Sequence, residues 1–303
     1  MRLKVFVSFL TVIAVMISPQ LSAQDGDGLA LMKVETGAHP SGMGGAFVAV
    51  GGDPMTAAYN PAGITDNELF TASFGHVEYW EDIRFETGYL SAKLSDRFFF
   101  HAGIKYAQVD NIEGRFISTL DPTQITDFDA YDVSFKSGLA YKFNNRLSVG
   151  FGLGWFVEKI DTWRGSSFNV DLGARYLIRE NISAGASVTN LGSDFNLTQT
   201  NQPSSRDISL PTTYRLGGSY RYDKYLGALD IVIVDDEFHL HAGAEADLDE
   251  MFSIRSGYMF NYDSKNFTAG ASFHHRNITV DYAFVPYSND LGTTHLFNFT
   301  FTL

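Results

Sequence analysis

His239, His241 and Glu245 stand at even spacing within the run Glu237 to Asp247, the spacing that puts alternate side chains of a strand on one face. Imidazoles two residues apart on a strand lie about 6 to 7 Å from each other. That is wide for holding one ion with bonds near 2 Å, so the triplet reads as part of a paired polar wall, and no metal site is expected. A larger mixed-sign set shares its parity: Asp171, Arg175, Arg215, Asp230, Arg255 and Asp281. Opposite charges on neighbouring strands neutralise one another across a confined interior, and a polar pathway for a solute is the functional alternative.

Enzyme chemistry finds no footing. Ser272 and Ser288 lie in the vicinity of His274, His275 and His295, but no spacing pairs a nucleophile with a base. Gly42-Met43-Gly44-Gly45 fails the dinucleotide pattern because Phe47 stands at the third glycine place. The absence of cysteine removes disulfides, thiolate metal sites, a cysteine nucleophile and a lipoprotein anchor. No catalytic residue and no cofactor is expected.

The elements that must position these residues follow a meter. From about Leu69 to Leu303, runs of roughly ten residues alternate apolar and polar side chains. In Leu147 to Val157 an oily face (Leu147, Val149, Phe151, Leu153, Trp155, Val157) alternates with a mostly small one. Every second connection is a tight polar turn: Ser95-Asp96-Arg97, Asn144-Asn145, Arg179-Glu180-Asn181, Tyr222-Asp223-Lys224, Asp249-Glu250 and His275-Arg276. The intervening ones vary, with long loops expected at Ala107 to Asp129, Asp161 to Ser167 and Asn190 to Pro211 and short ones at Asp235-Asp236-Glu237 and Asn261 to Lys265. Short turns at one end and variable loops at the other predict an all-β fold, a transmembrane antiparallel β-barrel of about 14 strands with both termini in the periplasm of a Gram-negative-type bacterium. Alternation also explains how a membrane protein has 19% charged residues and a mean hydropathy of −0.07. Phe297, Phe299, Phe301 and Leu303 form one face of a closing strand, and Tyr79, Trp80, Tyr106, Trp155 and Tyr287 among others are expected in interfacial girdles.

Residues 1-23 read as a secretory signal peptide, with Arg2 and Lys4 ahead of the apolar run Val5 to Ile17 and a cleavage site after Leu21-Ser22-Ala23. The net charge of −13 makes nucleic acid a poor partner. Residues 68-303 are assigned to the barrel and residues 24-67 to a separate module without the strand meter. Asp53 followed by Pro54 predicts an N-cap with proline at the first helical position, and one short turn over Met55 to Tyr59 stopped by Asn60-Pro61. Gly42, Gly44 and Gly45 imply backbone held close to something, which in a barrel is the inner wall. This module is therefore expected to be a plug near the periplasmic mouth.

Ser41-Gly42-Met43-Gly44-Gly45-Ala46-Phe47-Val48-Ala49-Val50, followed by Asn60-Pro61-Ala62-Gly63-Ile64, resembles the N-terminal signature of the PorV/PorQ family, which is similar to the FadL-type fatty-acid transporters. The resemblance covers roughly Gly37 to Ile64 and implies a fourteen-stranded outer-membrane barrel. It further implies a non-catalytic component of type IX protein secretion, binding exported proteins through their C-terminal signal domain. The alternative is a FadL-like passive transporter of hydrophobic small molecules. The partners expected are thus outer-membrane lipid together with secreted proteins or a hydrophobic ligand. A greasy inward pocket would mark the transporter and an exposed apolar groove on the loops the secretion component; Met43, Phe47, Met55, Phe99 and Phe156 point inward and could line a small pocket beside the plug.

Overall fold

The computed structural model describes residues 29–79, 83–115, 125–199, 202–203, 207–288 and 292–303. The expected signal peptide, residues 1-23, and Trp80 lie outside these. Fourteen strands form the wall: β1 (Phe70–Glu78), β2 (Arg84–Lys93), β3 (Phe98–Arg115), β4 (Ile125–Lys142), β5 (Leu147–Ile160), β6 (Trp163–Arg179), β7 (Ile182–Gly192), β8 (Thr213–Tyr222), β9 (Tyr225–Val234), β10 (Glu237–Asp247), β11 (Phe252–Phe260), β12 (Phe267–His275), β13 (Ile278–Pro286) and β14 (Thr293–Thr302). Each pairs antiparallel with its sequence neighbour, and β14 pairs with β1 from Thr71↔Thr302 to Glu78↔His295, which closes the barrel. Closure leaves no strand edge unpaired in lipid. Among the described residues no helix is long and apolar enough to cross a membrane.

The two faces obey the sequence alternation. Phe74, Ile104, Phe151, Leu153, Phe168, Leu229, Phe297 and Phe299 are exposed on the outside, while Ser73, Ser91, Ser148, Asn169, Ser187, Thr268 and Asn298 are buried inside. Exposed apolar side chains on a closed barrel are its lipid contact, not a packing defect. The fold is that of a Gram-negative outer-membrane barrel.

One end carries the six tight turns where the sequence places them. At Asp223 and Arg276 the backbone enters the left-handed region (φ 52 and 55), as two-residue hairpins of the primed type require. At the other end two expected loops are strand. Residues 107–115 and 125–129 extend β3 and β4 to 18 residues each, paired as far as Arg115↔Ile125 across a bulge between Val109 and Ile112. That exceeds the ~9 to 11 residues needed to span the bilayer, so this hairpin rises above it. Its acids resemble loop composition, but their alternation with Val109 and Ile112 continues the pleat. The expected loop Asp161 to Ser167 shrinks to Asp161-Thr162, with Ile160↔Trp163 paired directly. Within Asn190 to Pro211, β7 continues to Gly192, and the chain beyond it adds the bridge Phe195↔Ile208 and a short pairing of Thr198 with Arg164 of β6. Tyr79 and Tyr287 do not join an outer girdle. Their hydroxyls meet at 2.8 Å and they pack against the interior cluster that contains Val77, Phe85 and Val285.

The segment from Leu29 to Asn67 lies inside the wall and is almost wholly buried. It contains helices α1 (Ala30–Lys33) and α2 (Ala38–Gly42) and two 3-10 turns, Pro54–Ala58 and Pro61–Asp66. Helix α2 packs on β11 to β14, the first 3-10 turn on β1 to β3, and the second on β3 to β6. The segment does not keep to the periplasmic mouth. Leu29 and Leu31 pack with Val77, Ala107, Met259 and Leu296 near the loop ends of their strands, whereas Asp66 meets Arg175 close to the short-turn end.

Candidate functional site

The lumen segment is seated backbone against backbone. At Gly44 and Gly45 φ is 64 and 72, a conformation that side chains with a Cβ rarely adopt, and the amide of Gly45 donates to Pro40 O at 2.9 Å. This turn is pressed on Gly243 and Gly257 of the wall, where any side chain would overlap Met43 and Gly44. Further round, Gly185 faces the carbonyl of Val48, Gly173 faces Asn60, and Gly150 faces Pro61 and Ala62. The wall glycines thus form a socket.

Polar wall residues satisfy the segment's backbone, which has no sheet or long helix of its own to do so. The Asp230 carboxylate accepts from the amides of Phe47 and Val48 at 2.7 and 2.8 Å. Arg175 donates through Nε to Ala49 O at 2.8 Å and forms an ion pair with Asp66 at 2.5 Å. Ser183 donates to Ala49 O and Ser187 to Tyr59 O, at 2.8 and 2.6 Å, and Asn298 accepts from the Ala38 amide at 2.7 Å. Asn60 works from the segment side: Nδ2 donates to Val48 O and Ala174 O at 2.7 and 3.0 Å, while Oδ1 accepts from Ala62 N.

Asp53 caps its turn as the sequence predicts, accepting from Met55 N at 2.7 Å with Pro54 at the first helical position. The turn is 3-10. Asn60-Pro61 does more than stop it, because Asn60 is the cap of the second turn. Gly63 is required by space, since a side chain there would overlap Thr56. Met43 and Phe47 are fully buried, Phe47 standing edge-on to His39 with ring centroids 4.9 Å apart.

A chain of charges joins segment to wall. His39 lies 3.0 Å from Asp53 and 2.8 Å from Glu245, the latter a close charge contact and not an aligned hydrogen bond. Glu245 also faces Arg255 at 3.2 Å, and Arg255 reaches Asp281 at 3.1 Å and Ser272. Burial and Arg255 push the His39 pKa down, but Glu245 and Asp53 outweigh them and raise it to about 9. His39 is therefore an imidazolium at neutral pH. Glu35 is held below the ordinary carboxylate range although burial opposes this, because Lys265 sits 2.7 Å away.

Between the segment and the loop end lies a cavity of about 540 Å³, floored by residues 32–36, Ala58 and Tyr59 and walled by Tyr89, Lys105, Lys136, Arg215, His239, His241 and Tyr262. Lys136 is bound to Asp171 and Asn190 at 2.6 and 2.7 Å. Lys105 donates to the carbonyls of Leu31 and Val34 at 2.7 and 3.2 Å, and Arg215 lies over the Tyr59 ring, 5.3 Å from its centroid. Tyr262 stacks on His239 at 3.8 Å and meets His241 Nε2 at 2.9 Å. Among the described residues no three His, Asp or Glu side chains converge to hold a metal ion.

The inward set identified by parity therefore divides in two. Asp230, Arg175, Glu245, Arg255 and Asp281 hold the segment, while Arg215, His239 and His241 face the cavity and Asp171 anchors Lys136. Sequence reading missed Ser183, Ser187, Ser272 and Asn298, whose inward parity was legible but whose small polar side chains give no sign of a backbone partner. It also missed Asn190, which lies in an expected loop; its positive φ of 61 and the hydrogen bond that its backbone N–H donates to Asp171 Oδ1 at 2.7 Å shape an irregularity in β7.

No known family model and no curated protein sequence matches the chain. Solved structures do. The toluene transporter TbuX of Ralstonia pickettii aligns over 88% of this chain and 98% of its own, with a TM-score of 0.65 at 15% identity. The Pseudomonas putida toluene transporter TodX aligns over 88% and 96%, with a TM-score of 0.62 at 12% identity. A Pseudomonas aeruginosa FadL homologue aligns over 88% and 97%, with a TM-score of 0.54 at 12% identity. The likeness is to FadL-type outer-membrane barrels as a fold, and two of these neighbours are named as toluene transporters.

Proposed function

We propose that this chain is a passive outer-membrane transporter of small molecules, hydrophobic or amphipathic, in which residues 24-67 act as the plug between an external vestibule and the periplasm. The observation that carries this reading is the cavity of about 540 Å³, which lies at the loop end and is floored by the lumen segment. Its size suits a small molecule. The FadL-like fold supports the same reading, since two of the neighbours described above are named as toluene transporters. The secretion role implied by the PorV/PorQ resemblance has no support from these neighbours.

The test is uptake of a small aromatic panel, radiolabelled toluene and radiolabelled benzoate, by cells of a Gram-negative host that has no comparable transporter, with and without this chain. Faster uptake is expected. Equal rates, together with exported proteins of a shared C-terminal domain co-purifying with the barrel, would return the secretion component to first place.

A further inference from the structure

The lumen cavity is not lined as a hydrocarbon site. Its wall holds two cations without an ion-pair partner: among the described residues neither Lys105 nor Arg215 has an acidic oxygen within ion-pair distance. The other basic residues of the lining are spoken for, Lys136 by Asp171 at 2.6 Å, Lys265 by Glu35 at 2.7 Å and Lys33 by Asp235 at 2.5 Å. The Lys105 ammonium has three donors and gives two to the carbonyls of Leu31 and Val34, leaving one. Besides lying over the Tyr59 ring, Arg215 makes one long hydrogen bond to Thr189 at 3.4 Å among the described residues, and its Nε is buried without an acceptor. A buried donor without an acceptor is costly, and a guanidinium more so than a neutral group.

We propose that this cavity binds a compact organic anion, a carboxylate or sulfonate on a body of about one ring, in preference to a neutral hydrocarbon. For its biological sense the proposal rests on the transporter reading given above. The anionic group accepts from Arg215 and from the remaining donor of Lys105, and a planar fork of donors suits a two-oxygen group. The body lies among Tyr59, Tyr89 and Tyr262, whose rings line the same space. A single charge is preferred because the carboxylates Glu237 and Asp263 line the same space and repel a multiply charged solute. A long acyl chain has no apolar slot here, the aliphatic lining being confined to side chains such as Met32, Val34, Val232 and Val234.

The experiment is ligand-observed NMR titration of the purified full-length barrel in detergent, with benzoate and its neutral counterpart benzyl alcohol. Benzoate should bind about tenfold more tightly than benzyl alcohol. The substitution Arg215→Gln should remove most of that margin while leaving benzyl alcohol unchanged, and Arg215→Lys should restore part of it. Should Arg215→Gln not fold, a salt titration of the unsubstituted barrel decides, because benzoate affinity must fall with ionic strength and benzyl alcohol affinity must not. Benzoate binding no tighter than benzyl alcohol, or insensitive to both Arg215 and salt, overturns the proposal. Failure of the transporter reading is seen separately, as unchanged cellular uptake of toluene and benzoate alike, whatever the purified barrel binds.

Discussion

His39 of the lumen segment and Glu245 of β10 stand 2.8 Å apart, Nε2 to Oε2, and this contact is where a charge on the segment meets a charge on the wall. The His39 pKa of about 9 exceeds its ordinary 6.5, so the seated segment is favoured by proton binding. Its stabilisation is complete below about pH 6.5 and is lost as pH rises through 9, on the order of 3 kcal/mol over the whole range. Raising pH from 7 to 10 should therefore speed hydrogen exchange of the segment amides ahead of the strand amides. In His39→Gln the step between pH 8 and 10 should disappear.

Asp230 holds the amides of Phe47 and Val48. Asp230→Ala leaves both donors without an acceptor, at about 1 to 3 kcal/mol each. Exchange at these two amides should accelerate by about 100-fold in backbone NMR, with the β1 to β14 register amides unaffected.

Gly185 admits the Val48 carbonyl to the wall, and a larger side chain there collides with backbone that cannot yield. Gly185→Val should unseat the segment while strand pairing persists, so that single-channel conductance in planar bilayers rises and the folded barrel still resists unfolding in cold detergent. Unchanged conductance would mean that the segment does not obstruct flow at this height.

Removal of residues 24-67 tests the plug as a whole. The truncated barrel in liposomes should leak small sugars faster than the full chain, and equal leakage would sink the plug assignment.

Lys136, Asp171 and Asn190 form a buried knot across three strands. Lys136→Met strands the Asp171 carboxylate and should cost about 3 to 5 kcal/mol in denaturant unfolding. The double substitution Lys136→Met with Asp171→Leu should cost clearly less than the sum of the two single ones.

What the sequence made legible is the part governed by period two. Strand count, inward and outward faces and the six tight turns follow from side-chain alternation and turn residues, because lipid on one side and a packed lumen on the other punish any slip of one residue. The expected loop at Ala107 to Asp129 is instead strand over residues 107–115 and 125–129, because a ribbon longer than the bilayer needs keeps its period of two while tolerating acids among its side chains. Inside the lumen the signal weakens. Asp53-Pro54 and the glycines announced a tight, close-packed segment, yet the partners of Asp230 and Ser187 are main-chain groups of Phe47, Val48 and Tyr59, which carry no side-chain signature. Likewise Arg215 reads like any other inward charge until the folded neighbours show that none of the described carboxylates lies within ion-pair distance of it.

The lumen segment precedes β1 in the chain but rests against the last strands as well as the first, from Asn298 on β14 to Thr87's neighbour Tyr89 on β2. Since the wall shuts at the seam between β1 and β14, a segment seated on both sides of that seam bridges it from within. The contacts of Ala38 with Asn298 and of Met55 with Tyr89 thereby tie the last strand of the wall to the second through the interior, a lashing across the closure in addition to the seam's own hydrogen bonds.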